Sequence, residues 1–314
     1  MQMVASELCQ RGASVVTPRA ASDDELARVH DREYLTLLRE TAGRAVALDP
    51  DTFTSPDSYD VARLAAGAAL SAVDHVLDAP RGARGLAMVR PPGHHAERNR
   101  AMGFCLLNNV AAAAAHARAR GLSRVAVVDY DVHHGNGTQW CFYDDPSVLF
   151  ISSHQYPYYP GTGAVGDVGT GVGEGFTANF PLEAGATDAD YDLVYLAGAV
   201  PLLRQFGPEL VLISAGFDAH EDDPLGGMRV SATQFGRLTA ILASVADECC
   251  DGRVVGVTEG GYDLKALTAS LLAVAAALDG HATLDSAPAR DDASRRGRAS
   301  VDAARRHLSR YWTI

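Results

Sequence analysis

The sequence predicts a three-layer α/β/α fold around a mostly parallel central sheet. Three observations carry this expectation. Short apolar runs rich in β-branched residues recur along the chain. Longer stretches with helical spacing of apolar residues lie between them. Polar, glycine-bearing motifs begin where the apolar runs end.

The runs cover residues 85–89, 124–128, 147–151, 210–213 and 253–257. Near-continuous apolar runs of this length read as strands buried on both faces, as in a parallel sheet. The helical stretches cover residues 57–77, 106–120, 188–206, 231–249 and 263–278. In the first of them Asp60, Arg63 and Asp74 fall on a polar side. This alternation gives a doubly wound sheet, whose ligands bind beyond the carboxyl ends of the strands. Residues 290–298 are polar and charged, so 290–300 is expected to be an exposed linker to a last short helix over 301–311. No internal repeat is present, and residues 1–314 are expected to form one domain.

Composition narrows the function. A net charge of −12 argues against a nucleic-acid binder and is compatible with a cationic substrate. No apolar run is long and pure enough to span a bilayer, and the first residues lack the basic start and apolar core of a signal peptide. Cys9, Cys105, Cys141, Cys249 and Cys250 have no paired spacing. Free thiols in a reducing compartment, the cytoplasm, are the expectation.

The chemistry concentrates at the strand ends. Asp129-Tyr130-Asp131-Val132-His133-His134-Gly135-Asn136 follows the run at 124–128. Alternate residues of extended chain share a side, so Asp129, Asp131 and His133 are aimed into one space. Two carboxylates and an imidazole suit a borderline divalent cation such as zinc in an open, catalytic site. Asp218, in Ser214-Ala215-Gly216-Phe217-Asp218, is the candidate third ligand. His94 and His95 follow the stiff turn Arg90-Pro91-Pro92-Gly93 and offer a general base, with Asp129 and Asn136 as orienting partners. Glu259-Gly260-Gly261-Tyr262 follows the run at 253–257 and places a phenol that can stabilise an oxyanion. Gly161-Thr162-Gly163-Ala164-Val165-Gly166 matches the dinucleotide pattern formally. It follows no strand and opens no helix, so a mobile loop at the pocket rim is the better reading.

Together these pieces resemble the histone deacetylase family of the arginase/deacetylase fold, class II-like and bacterial branch. The likeness runs from about residue 26 to about residue 278. It is carried by Pro-Pro-Gly-His-His-Ala, Gly103-Phe104-Cys105 with Asn108-Asn109, Asp-x-Asp-x-His-His-Gly-Asn-Gly-Thr, Pro160-Gly161-Thr162-Gly163, Ala-Gly-Phe-Asp218 and Glu-Gly-Gly-Tyr262. The resemblance implies one zinc per chain on Asp131, His133 and Asp218. It implies His95 as general base and then acid, and His94, paired with Asp129, as a largely charged partner. It implies Tyr262 as the electrophile. Asn136 would orient His95, where class I members carry Asp. Phe104, with Gly103, and Tyr159 would wall the acyl-lysine tunnel, Asp51 would grip substrate at the rim, and Leu225 would stand at the mouth. A structural potassium would lie against the main chain of Asp129, Asp131 and His133, with Ser152 as side-chain ligand. The reaction implied is hydrolysis of an acetylated amine to acetate and free amine.

The chain also departs from that pattern. Family members begin with a first strand and a His-Pro-Glu-like stretch, whereas this sequence starts at Met1-Gln2-Met3. Either the true start lies upstream or an edge strand is missing. Leu225 stands where eukaryotic polyamine members carry Glu, which leans toward acetyl-lysine in a peptide over a small acetylated amine. Glu221 and Asp222 nearby favour a cation. Two further classes compete: a guanidino or ester hydrolase of the same fold, and a non-catalytic acyl-lysine or metal-binding module.

Overall fold

A computed structural model describes residues 2–281 and 294–314. In chain order the elements are α1 (Gln2–Gln10), α2 (Asp23–Leu26), α3 (Arg32–Glu40), β1 (Ala47–Asp49), β2 (Thr52–Phe53), α4 (Ser58–Asp78), β3 (Arg84–Ala87), α5 (Asn109–Ala119), β4 (Val125–Asp129), α6 (Asn136–Cys141), β5 (Val148–Gln155), β6 (Thr177–Leu182), α7 (Asp188–Val194), a π-helical turn (Tyr195–Ala199), α8 (Val200–Phe206), β7 (Leu210–Ala215), α9 (Ala232–Cys249), β8 (Val254–Thr258), α10 (Leu264–Leu278) and α11 (Arg295–Leu308).

β1 and β2 form a small antiparallel pair. The other six strands form one sheet in the order β3-β8-β7-β4-β5-β6, and every pairing in it is parallel. Four of the apolar runs form the inner strands β8, β7, β4 and β5, because both of their faces are covered; the run at 85–89, expected to be buried on both faces, forms the edge strand β3 and is only partly buried. In β4, Val125 and Val127 join one core, and Ala126 and Val128 join the other. In β7, Leu210 and Leu212 face the first core, and Val211 and Ile213 the second. Helices α4 and α5 cover the first face; α7, α8, α9 and α11 cover the second. This is the expected three-layer α/β/α arrangement.

The caps explain where the helices begin. Asn108, Ser231 and Asp263 each accept a backbone N–H of the first turn of α5, α9 and α10. The stretch 188–206 is not the single helix expected. It breaks into α7, the π turn and α8. Pro201 has no N–H to offer the preceding turn, and Gly198 lies against the Phe180 ring, where a Cβ would come within 2.5 Å.

The expected exposed linker at 290–300 also needs correction. Residues 290–293 lie outside the described residues, but α11 already starts at Arg295, six residues before the expected 301. Gly297 and Ser300 are buried in it. The Gly297 N–H donates to Asp190 Oδ1 of α7 at 2.8 Å, an approach that a side chain at 297 would block.

Strand order reverses between β4 and β7: from β4 the chain proceeds outward through β5 and β6, while β7 and β8 lie on β4's other side. In open α/β sheets the ligand crevice opens at such a reversal, beyond the carboxyl ends. The segments after β3, β4, β7 and β8 converge there, and they carry His94 and His95, Asp131 and His133, Asp218, and Tyr262.

Candidate active site

Asp131, His133 and Asp218 stand with ligand atoms within 4.8 Å of one another. His133 Nδ1 is 3.1 Å from Asp131 Oδ1 and 3.1 Å from Asp218 Oδ2. Backbone donors fix the carboxylates. The N–H of His133 and of Gly260 donate to Asp131, at 2.9 Å each, and the N–H of Val132 donates to Asp218 at 2.8 Å. Gly216 and Gly260 complete the cradle, because a Cβ at either would fall within 2.2 Å of a ligand oxygen.

Both carboxylates are fully buried. Two buried anions side by side are costly unless a positive charge joins them. Burial lowers the pKa of His133, but Asp218 and Asp131 outweigh it and raise the imidazole to about 11. Burial and the neighbouring Asp131 push Asp218 up. The group therefore calls for a cation. An oxygen–oxygen–nitrogen donor set with space on one side fits zinc or a similar divalent ion.

The paired histidines lie beside this cluster, their rings 4.0 Å apart. His94 Nδ1–H donates to Asp129 Oδ2 at 2.9 Å. Burial works against its charge, but Asp129 and Asp131 prevail and raise it to about 10. His95 Nδ1 is 2.8 Å from Asn136 Oδ1. The Asn136 amide is oriented by Glu97, whose Oε1 accepts its N–H at 2.7 Å. The carbonyl oxygen therefore faces His95 and accepts Nδ1–H, leaving Nε2 with its lone pair free. Burial first of all holds His95 well below the ordinary histidine range. One ring is thus bonded to a carboxylate that favours its charge, and the other to a neutral amide.

A pocket of about 170 Å³ opens onto these groups. Phe104, Tyr158, Tyr159, Tyr262 and Leu225 wall it, and Asp51 and Gly103 stand on its lining. Phe104 and Tyr262 meet edge to face at 6.1 Å, and Tyr159 meets His95 at 5.2 Å. Asp51 also works behind the wall: its Oδ1 accepts the Gly103 N–H at 3.2 Å and the Thr52 hydroxyl at 2.8 Å.

The structure brings every predicted catalytic, metal and substrate residue to this pocket or directly against it. Ser152 lies deeper, opposite Asp129 in the β4–β5 register, bonded to His154 Nδ1 at 2.9 Å. Loop 161–166 is not the rim loop expected. Gly163 packs against the buried His134 and His154, and its carbonyl accepts from His154 Nε2 at 2.9 Å. The rim is formed instead by Tyr158 and Tyr159 just before it. Besides Glu97, both Glu259 and Tyr158 gain roles that the sequence alone did not give. Glu259 is buried, accepts the N–H of Gly93 (2.6 Å) and His94 (3.1 Å), and accepts the Ser214 hydroxyl (2.8 Å). It ties β8 to the histidine turn. Tyr158 stacks on His133 at 5.5 Å and 18°.

Comparison with known proteins bears on the family and the fold. The profile of the histone deacetylase domain matches residues 1–278. "Histone deacetylase 10, chloroplastic" of Oryza sativa subsp. japonica is 40% identical over 92% of this chain and 69% of its own length. "Polyamine deacetylase HDAC10" of Homo sapiens is 46% identical over 82% of this chain but 40% of its own length. A "Probable deacetylase" of Archaeoglobus fulgidus is 40% identical over 85% of this chain and 74% of its own length. The crystal structure of the HDA15 HD domain superposes with a TM-score of 0.89 at 36% identity, covering 99% of this chain and 86% of that one. The six-stranded sheet, the pocket at its strand reversal and a family match over both lead to one conclusion: the chain belongs to the histone deacetylase family.

Proposed function

We propose that this chain is a zinc-dependent deacylase that hydrolyses the amide of an acetylated amine, with acetyl-lysine in a peptide as the favoured substrate. The observation that carries the reading is a pair of buried histidines, one bonded to the Asp129 carboxylate and the other to the Asn136 amide oxygen, beside a three-donor cation site in a pocket that also holds a phenol. Phe104 and Tyr159 flank the aliphatic stem of the substrate. Asp131, His133 and Asp218 would hold the cation, which when bound would supply Lewis acidity for the scissile carbonyl and the attacking water. His95 Nε2, held in the accepting tautomer by Asn136, takes the proton of that water. Tyr262 donates its hydroxyl to the developing oxyanion. His94, charged through Asp129, stabilises the same negative charge. His95 then returns its proton to the departing amine, and acetate remains.

The competing classes are less well supported. A two-metal guanidino hydrolase needs more ligands, and among the described residues a single group of three such donors stands close enough. A purely binding module does not need the His95–Asn136–Glu97 chain. Acetylated polyamine is a second reading, favoured by the exposed Glu221 and Asp222 near Leu225 and by the name of the human relative, a polyamine deacetylase. We further propose a structural potassium near Asp129, with Ser152 as its side-chain ligand. We treat residues 1–314 as one catalytic unit, since α11 shares a core with β4. Among the described residues no helix is long and apolar enough to cross a membrane. The five cysteines are unpaired, which supports a reducing compartment; we favour the cytoplasm, while two plant relatives are named chloroplastic.

The test is turnover of the metal-analysed protein on an acetyl-lysine peptide and on N-acetylputrescine, side by side. Peptide turnover that a chelator abolishes and zinc restores is the expected result. Preference for acetylputrescine would transfer the enzyme to the second reading. Activity on neither, with zinc bound, would overturn both.

A further inference from the structure

We propose that Asp223 is a positioning residue that yokes the mouth of the pocket to Tyr262, so that the placement of the phenol depends on the loop that meets the substrate. The proposal rests on the reading of Tyr262 as oxyanion donor. Asp223 is 6% exposed, in the loop between β7 and α9. Its two oxygens accept from two separate segments. Oδ1 takes the Leu225 N–H at 2.9 Å. Oδ2 takes the N–H of Tyr262 at 2.7 Å and of Asp263 at 3.3 Å. A carboxylate accepts only and has no donor of its own to clash with three backbone N–H groups.

Each end of the yoke is tied further. On the mouth side, the Leu225 carbonyl accepts the Tyr158 hydroxyl at 2.6 Å, and the Tyr158 ring lies on His133. On the catalytic side, Gly260 is pinned through its N–H to Asp131, and Asp263 caps α10. Between these two fixed points Gly261 sits at φ +134°, a conformation that glycine adopts readily. Asp223 is the side chain that holds the Tyr262 N–H itself. A substrate that moves Leu225 therefore moves the carboxylate that holds the phenol.

The test uses the full, zinc-loaded chain carrying Asp223→Asn, Tyr262→Phe, both, or Tyr158→Phe. An amide keeps one accepting oxygen, so Asp223→Asn can hold one segment but not both. We expect kcat to fall about tenfold or more with KM changed less, the scale of a sub-ångström to 1 Å misplacement. In the Tyr262→Phe background the same change should cost almost nothing, because the group it positions is gone. Equal losses in both backgrounds would overturn the proposal and mark Asp223 as structural only. Hydrogen–deuterium exchange gives a readout apart from turnover: peptides covering 222–228 and 260–264 should both exchange faster in Asp223→Asn. Should that variant fail to fold or to bind zinc, Tyr158→Phe releases the Leu225 carbonyl and leaves the carboxylate intact. It should still quicken exchange at 260–264; protection unchanged there would sink the coupling. Wild-type protein that deacetylates neither substrate defeats the functional reading, while the exchange experiment still decides the yoke.

Discussion

A phenol beside a buried cation site lowers a barrier only through its hydroxyl, so Tyr262 offers the most selective change in the pocket. Phenylalanine keeps the ring against Phe104 and removes the donor. We predict that Tyr262→Phe retains zinc and loses about 10²–10³ in kcat, the cost of one oxyanion donor. Wild-type turnover in that variant would remove Tyr262 from the chemistry. Residues of this kind were legible in the sequence. Asp131, His133, Asp218, His94 and His95 are polar groups set just past apolar runs, each ordinary alone and legible only together, at the edge where a parallel sheet binds ligands. Glu97, Glu259 and Asp223 were not legible as site residues. Each acts by meeting a group far along the chain: Glu259 meets Gly93 across 166 positions, and Asp223 meets Tyr262 across 39. A single sequence shows a carboxylate but not which donors it will meet.

Elements decide how well those residues are aimed. The turn at Gly103 and Phe104 has both residues in the left-handed region, at φ +55° and +65°. For Phe104 this costs about 1–2 kcal/mol. The β1–β2 pair holds it there: Asp51 accepts the Gly103 N–H and Thr52 Oγ1 accepts the Phe104 N–H at 3.0 Å. The strain presents the Phe104 ring at the mouth and leaves Gly103 flat against His95. A Cβ at 103 would lie 2.3 Å from the His95 ring. We predict that Gly103→Ala displaces His95 and lowers kcat by up to about 10²-fold, with zinc content unchanged. Steady-state kinetics with metal analysis checks this, and a kcat within twofold of wild type would mean that the imidazole is not held by this turn. The sequence announced the central strands because full burial on both faces demands unbroken apolar runs. It did not announce β6, whose Asn179 and Pro181 suit an edge, nor the β1–β2 pair, whose few residues carry no period.

At the scale of the whole molecule, the question is what closes the β6 edge of the sheet, and the answer is α11. It packs on α7 and β6, and its Val301, Ala304 and Leu308 enter the same core as Val128 and Ile213. Trp312, just beyond it, meets Phe176 at 5.5 Å and donates its indole N–H to the Gly175 carbonyl at 2.6 Å. The family match ends at residue 278, before this helix. The helix carries none of the catalytic motifs, and none of its residues lines the pocket at the strand reversal. Leu308 is 1% exposed, so truncating its side chain removes buried methyl groups and leaves a cavity. We predict that Leu308→Ala costs about 2–5 kcal/mol of folding stability. For a chain of this size each kcal/mol moves Tm by roughly 2–4 °C, so the melt should fall by several degrees or more. Zinc content and kcat below the melt should stay near wild type, because α11 contributes no residue to the pocket lining or to the Asp131–His133–Asp218 group. A melt unchanged within error would show that the helix covers the sheet without sharing its core, and a parallel loss of zinc would show that the β6 edge and the site are one cooperative unit.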